Sequence, residues 1–260
     1  MSSSVKKVPF WAVERWLSVV LFLGVWELAP RAGGLLEVFI APPSVVVNVL
    51  LEMIREDLLP GHVLVSLGRA AAGFVAAALL AVPLGFLLGS GFRTFERLVT
   101  PLLRFFAQLN PFSLFPLFIL IFGIGELSKG TMIFWVCIWP ILFNTINGVK
   151  EIDPLLVKSA RSMGTGICTL FFRVILPAAL PGIFTGLKMG AGTAFFMLIA
   201  AEMIGASRGL GWLVWNAQTN FQMPQLFAAT VVISVLGLIL QWLFVLIEGK
   251  LLGWRENVVH

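Results

Sequence analysis

The chain has no tyrosine, two cysteines and two histidines, and only 12% of its 260 residues are charged. Each shortage removes a class of chemistry. His62 and His260 stand far apart, and Cys137 and Cys168 show no metal-ligand spacing, so no metal centre is expected. Cys137 falls in an apolar run, and a disulfide to Cys168 is not expected either. No G-x4-GK-[ST] sequence occurs, which excludes nucleotide hydrolysis by a phosphate-binding loop of that kind. With so few nucleophiles, bases and ligands, catalysis within the chain is not expected, and no cofactor is assigned to it.

Apolar residues fill the space. They make up 59% of the chain, and the mean hydropathy is +0.98. A soluble domain of this length has no use for so many, which makes this an all-α polytopic membrane protein. No stretch is both polar and long enough to form a separate soluble domain. A net charge of +5 and a pI near 9.7 would point to nucleic acid in a soluble protein. Without an aromatic-basic groove or a nucleic-acid motif, the surplus reads better as basic loops on the cytoplasmic side of a membrane. No nucleic-acid partner is expected.

About six spans are expected: Trp11 to Leu28, His62 to Leu88, Val99 to Phe122, Gly130 to Gly148, Ala178 to Ile204 and Leu226 to Ile247. The first is marginal and carries Glu14 and Arg15 near its start. A cleaved signal peptide competes for it, with Lys6 and Lys7 as the basic region. Leu28-Ala29-Pro30-Arg31 is a poor small-residue cleavage site, so the span is read as retained. Residues 1–61 then hold this span and an external amphipathic helix that opens at Pro42-Pro43-Ser44. Residues 62–252 form the core, and 253–260 a cytoplasmic tail.

Sidedness follows from counting bases. With the N-terminus inside, Lys6, Lys7, Arg15, Arg93, Arg97, Arg104, Lys150, Lys158, Arg161, Arg173, Lys250 and Arg255 lie on or near the cytoplasmic side. Arg31, Arg55, Lys129 and Arg208 lie outside, and Arg69 and Lys188 fall within spans, where Arg69 meets a polar partner or snorkels and Lys188 snorkels. Twelve against four fits the positive-inside rule and puts both termini in the cytoplasm.

Two interruptions carry the functional reading. The third span is broken by Pro101, Pro111 and Pro116, the last two freeing the carbonyls of Ala107 and Phe112. Gln108, Asn110 and Ser113 cluster there. Irregular polar backbone at membrane depth is tolerated where it is buried in protein or lines a water-filled path, although a plain proline kink is the alternative. Gln108, Asn110 and Ser113, with Asn144 and Glu202, are the candidate translocation-path residues.

The second interruption runs from Asp153 to Pro181. Asp153-Pro154 is a helix start, with Asp able to cap free N–H groups and Pro pre-set for the first helical position. Leu156, Ala160 and Met163 recur at helical spacing, with Lys158 and Arg161 on another face, and Gly164 is placed to stop the helix. Thr165 can cap a second short helix carrying Ile167, Phe171 and Val174. Two such helices, hinged at a glycine, are too short and too polar to span a bilayer.

This stretch resembles the EAA loop of ABC importer permeases. The register gives Lys158-Ser159-Ala160, Gly164, Val174 and Leu176-Pro177. Gly164, Leu176-Pro177 and Ala160 match, whereas Lys158, Ser159 and Val174 depart from Glu, Ala and Ile. Further matches are Gly68-Arg69 with Gly73-Phe74, FGIGELSK from Phe122 to Lys129, and AEMIGASRGLGW from Ala201 to Trp212. Together they extend from about Pro42 to Leu252 and resemble the nitrate, sulfonate, taurine and bicarbonate subgroup.

The resemblance implies a type I-like permease fold with a cytoplasmic coupling loop at 150–177, in a bacterial inner membrane. It implies a homodimer on two ATPase subunits that bind ATP and Mg, fed by a periplasmic or lipid-anchored binding protein and surrounded by lipid. Asp153, Lys158, Ser159, Ala160, Arg161 and Gly164 are the implied ATPase-docking residues. Where taurine-type and sulfonate-type members carry Arg-Pro-Val-Pro-Pro, this chain has Ala107-Gln108-Leu109-Asn110-Pro111, and the missing arginine weakens any anion site there. Two rival readings remain: a purely structural or channel-like membrane protein, which would not need a glycine-hinged cytoplasmic helix pair, and a stand-alone secondary transporter. The latter would need coupling acids at mid-membrane, and Glu27 and Glu202 both fall near span ends.

Overall fold

The computed structural model describes residues 10–31, 39–90 and 93–251, and every regular element among them is helical. In chain order these are α1 (Phe10–Arg31), α2 (Pro43–Arg55), α3 (Leu58–Gly89), α4 (Arg93–Ala107), α5 (Pro111–Phe122), α6 (Glu126–Lys150) and α7 (Pro154–Ser162). Then come the short α8 (Ile167–Leu170), a π-helical turn (Phe171–Ile175), α9 (Leu176–Gly205), α10 (Leu210–Thr219) and α11 (Met223–Leu251).

Four stretches are long and apolar enough to cross a membrane: α3, α6, the run Ile167–Gly205 that ends in α9, and α11. Taken as one span, the pair Phe95–Ala107 and Pro111–Phe122, bent by 92°, makes a fifth. The sixth expected span falls on α1, which is one uninterrupted helix. Its charge-free part, Trp16 to Trp26, is shorter than the ~20 residues that cross a hydrocarbon core. Among the described residues, four helices, or five crossings with the bent pair taken as one span, have the length and apolarity that a bilayer demands. The tail 253–260 and the bases Lys6, Lys7 and Arg255 lie outside the described residues.

The chain divides into two units, Met1–Gly61 with Leu213–Val232 and His62–Trp212 with Ile233–His260. Leu213–Val232, expected within the core, thus groups with the N-terminal segment. In this first unit the Glu27 carboxylate, which also pairs with Arg31, accepts hydrogen bonds from the backbone N–H of Ser44 at 3.0 Å and its hydroxyl at 2.8 Å. An anion there satisfies a donor that the start of α2 leaves free. The Trp26 indole donates to the Ala41 carbonyl at 3.1 Å and its ring meets Phe227 at 6.0 Å.

In the second unit α6 is the central helix. Over its most apolar stretch 56% of residues are buried, against 28% in α3 and none in α11. The reason lies in glycine. A Cβ on Gly182 of α9 would stand 2.6 Å from the Cα of Gly148 on α6, so the two backbones touch there. Gly186 and Gly190 continue this contact along α9, while Gly73, Gly85 and Gly89 of α3 seat Ile133, Thr145 and Val149 from the other side of α6. Small residues let helices approach where hydrophobicity alone gives no drive. Gly68 and Gly192 border open space.

Two local expectations change. Pro111 is not a kink inside a helix but the first residue of α5, where a missing donor costs nothing, and the Asn110 side chain caps that start by accepting from Phe112 N at 2.9 Å. Lys188 does not snorkel; its ammonium pairs with Glu248 of α11 at 3.1 Å.

Candidate functional site

The docking stretch folds as its local chemistry dictates at both ends of α7. Asp153 accepts from Leu155 N at 2.8 Å, and Pro154 follows at the first helical position. At the other end Gly164 has φ +74°, a left-handed conformation. It lets Gly164 N donate to Arg161 O at 3.0 Å and Thr165 N to Ala160 O at 3.3 Å. Those two bonds, five-to-two and six-to-one, are a Schellman stop.

The second short helix is not separate. Thr165 does not cap it; Gly166 precedes Ile167, and α8 passes through the π-helical turn into α9. Pro177, just inside α9, has no N–H for the carbonyl of Arg173, and the widened turn sits where that ladder bond is missing. The loop therefore presents one free helix, α7, between two long spans.

α7 has two faces. Val157 and Ala160 are half-buried against the core, and Arg161, though exposed, borders a cavity shared with α4 and α6. Leu155, Lys158, Ser159 and Ser162 form the opposite, exposed face. Of the six residues expected to meet an ATPase, Lys158 and Ser159 thus lie outward. Asp153 and Gly164 are exposed at the two ends, Ala160 is half-buried, and Arg161 borders the cavity. Leu155, Met163 and Ile167 are 67%, 84% and 86% exposed, apolar side chains that nothing among the described residues covers.

The path residues do not form one group. Gln108, Asn110 and Ser113 are exposed at the 92° break between α4 and α5. The cavity of about 380 Å³ beside that break is lined instead by Pro111, Trp135, Trp139, Thr193 and Phe196. Asn144 lies nearer the α7 end of α6, donating to Pro140 O at 2.8 Å and bordering a second cavity with Asp153 and Thr185. Glu202 stands apart from them, its side chain fully buried.

Glu202 is instead the centre of a polar cluster that sequence reasoning missed. Its carboxylate accepts from Ser66 Oγ at 2.8 Å, from Arg69 Nη1 at 2.8 Å and from Gly211 N at 2.9 Å. Arg69 grips Glu126 with Nε at 2.5 Å and Nη2 at 2.6 Å, and Lys129, itself buried, stands 3.6 Å from the same acid. Ser66 Oγ accepts from Leu210 N at 2.8 Å; His62 Nδ1 accepts from Gly209 N at 2.9 Å, and its ring stacks on Trp212. Among the described residues both buried charges, Lys129 and Glu202, have an opposite partner, as low-dielectric burial requires.

This cluster explains why the quoted motifs read as they do. Ser66 to Arg69, Glu126 to Lys129, and Glu202 to Trp212 lie far apart in sequence and converge here. Gly209 has φ +125°, and a Cβ on it would run into the Glu202 carboxylate; one on Gly211 would collide with the Ile199 carbonyl. The cluster ties the ends of α3, α6 and α9 to the loop after α9. Its signal was present as charged residues inside apolar runs, which in a membrane protein call for a partner.

Comparison with known proteins gives a consistent set. The model of the family "Binding-protein-dependent transport system inner membrane component" matches residues 81–253. SsuC of Escherichia coli (strain K12), a permease protein named for the transport of aliphatic sulfonates, is 34% identical over 257 residues, covering 98% of this chain and 96% of its own. The taurine transport system permease protein TauC of the same organism is 29% identical over 246 residues, covering 93% and 89%. Among solved structures, the MetNI methionine ABC transporter in an inward-facing conformation aligns with a TM-score of 0.64 at 20% identity, over 72% of this chain and 92% of that one. That likeness is one of fold.

Proposed function

The chain belongs to the inner membrane components of binding-protein-dependent transport systems, of the sulfonate, taurine and nitrate type, and on that premise we propose how this transport subunit of an ABC importer works. Hydrolysis of ATP belongs to a separate ATPase chain. Two copies of the permease stand on two ATPase subunits in a bacterial inner membrane, with a periplasmic or lipid-anchored binding protein outside; both termini lie in the cytoplasm in the arrangement in which α1 crosses as well. ATP and Mg are held by the ATPases.

The observation that carries this reading is α7. A nine-residue helix capped at both ends keeps a fixed shape outside the bilayer while exposing Leu155, Lys158 and Ser159. Exposed apolar side chains beside a charged one suit a protein surface that covers them. Because α8 runs through the π-helical turn into α9, a push on the loop is delivered along a long helix to the core. At the other end of that helix the Glu202–Arg69–Glu126 cluster holds α3, α6 and α9 together. The bent α4–α5 pair lies outside this clamp, which leaves it as the element that opens and closes the path.

The transported solute is proposed as a small sulfonate, taurine-like or nitrate-like molecule, on the strength of the relatives. Gln108, Asn110 and Ser113 are proposed to meet it at the break, as uncharged hydrogen-bonding groups where no arginine stands. Selectivity then rests largely on the binding protein.

Reconstitution tests the reading. Vesicles holding the permease with its ATPase and binding protein should take up solute when ATP is supplied, and vesicles holding the permease alone should not. Uptake that persists without any ATPase would restore the secondary transporter. At Lys158, where a basic side chain replaces an acid, Lys158→Glu should weaken assembly with the native ATPase, and an acid-to-base change opposite it should restore it.

A further inference from the structure

Where the end of α3, the start of α4, the end of α6 and α7 meet, they enclose a cavity of about 580 Å³. Its lining has two characters. Arg97, Lys150 and Arg161 supply cations against one carboxylate, Glu96, a formal excess of two positive charges; Val149 and Ile175 are apolar. Glu96 is already paired with Lys150. The Arg97 and Arg161 side chains are exposed and have no hydrogen-bond or ion-pair partner among the described residues. The excess charge therefore resides on two guanidinium groups from different elements, α4 and α7, facing one space.

We propose that this cavity holds the phosphate-bearing headgroup of an anionic phospholipid, with its glycerol and upper acyl chains against Val149 and Ile175. Guanidinium groups match phosphate oxygens with paired, directional donors. A free, hydrated phosphate would satisfy the arginines but gains nothing from the apolar wall, whereas a lipid satisfies both. The position fits as well, because the cavity opens at the ends of membrane spans, where basic groups meet anionic headgroups. Bound there, the lipid bridges α4 and the docking helix, so membrane composition sets how firmly α7 is held. This rests on the reading that the α7 end of the core lies at the cytoplasmic interface.

The test uses the full-length permease without its ATPase, in detergent, with retained lipid counted by native mass spectrometry. Phosphatidylglycerol should be retained over phosphatidylcholine of the same chain length by roughly tenfold or more, from two unpaired basic groups. Arg97→Gln should bring the two lipids close to parity while keeping the parent's thermal midpoint in phosphatidylcholine, and Arg97→Lys should keep most of the preference. Equal retention of both lipids by the parent, or an unchanged preference in Arg97→Gln, overturns the proposal. Displacement of phosphatidylglycerol by an equal concentration of inorganic phosphate also overturns it, by making the site one for free phosphate. No ATPase is present, so this readout stands or falls separately from the docking of α7.

Discussion

Replacing Gly164 tests whether the shape of α7, rather than its mere presence, transmits the ATPase stroke. The residue sits at φ +74°, and a Cβ added there meets no atom within 4 Å. Alanine therefore introduces conformational strain and no clash, a cost of about 1–2 kcal/mol for an L-residue in the left-handed region. If that strain is relieved by fraying the end of α7, it lowers the ordered fraction by a factor of about 5–30. Proline goes further. Its ring holds φ near −65°, and without an N–H it deletes the bond to Arg161 O that stops the helix. Asparagine tolerates the left-handed region and should lie close to glycine. Binding-protein-stimulated ATP hydrolysis by the reconstituted complex should therefore fall in the order Gly, Asn, Ala, Pro. Thermal stability of the isolated permease should barely change, because Gly164 lies outside the packed core. Full stimulation in Gly164→Pro, or equal damage from Asn and Pro, would refute the reasoning.

Three further outcomes follow from the packing. Glu202→Ala leaves Ser66, Gly211 N and part of Arg69 without their buried acceptor, and breaking such a pair costs about 3–5 kcal/mol; the permease should unfold at a clearly lower temperature, and a parental midpoint would contradict the clamp. Gly182→Ala places a Cβ against the Gly148 backbone and should cost about 1–3 kcal/mol by overpacking, measured as a lowered unfolding midpoint, while Gly192→Ala, which faces open space, should be silent. Single cysteines at Gln108 and Ser113, on a background lacking Cys137 and Cys168, should react with aqueous thiol reagents and change rate when ATP is trapped; equal protection in every state would assign the break to packing.

Legibility in the sequence divided along a physical line. Features governed by neighbours in the chain were readable: Asp153-Pro154 opens α7 and Gly164 closes it, because caps and left-handed stops depend on a few adjacent residues. Features governed by distant partners were not. Arg69 and Glu202 are 133 residues apart, and only the fold brings them within 2.8 Å. The same gap explains Lys188, whose partner Glu248 lies on another helix. Pro111 was misjudged for a different reason. A proline reads alike as a kink or as a first residue, and what decides is the cap of Asn110 on Phe112 N. The second short helix failed because a π-helical turn has no spacing signature that marks it off from a break.

The faces of α7 provide the most direct test of the account. A photo-crosslinking residue placed in turn at Leu155, Val157, Lys158, Ser159 and Ala160 would report what each position touches in the assembled transporter. The account predicts crosslinks to the ATPase from 155, 158 and 159, strengthening when ATP is trapped, and crosslinks within the permease from 157 and 160. Crosslinks to the ATPase from 157 and 160, with 155, 158 and 159 reacting only with water, would contradict it.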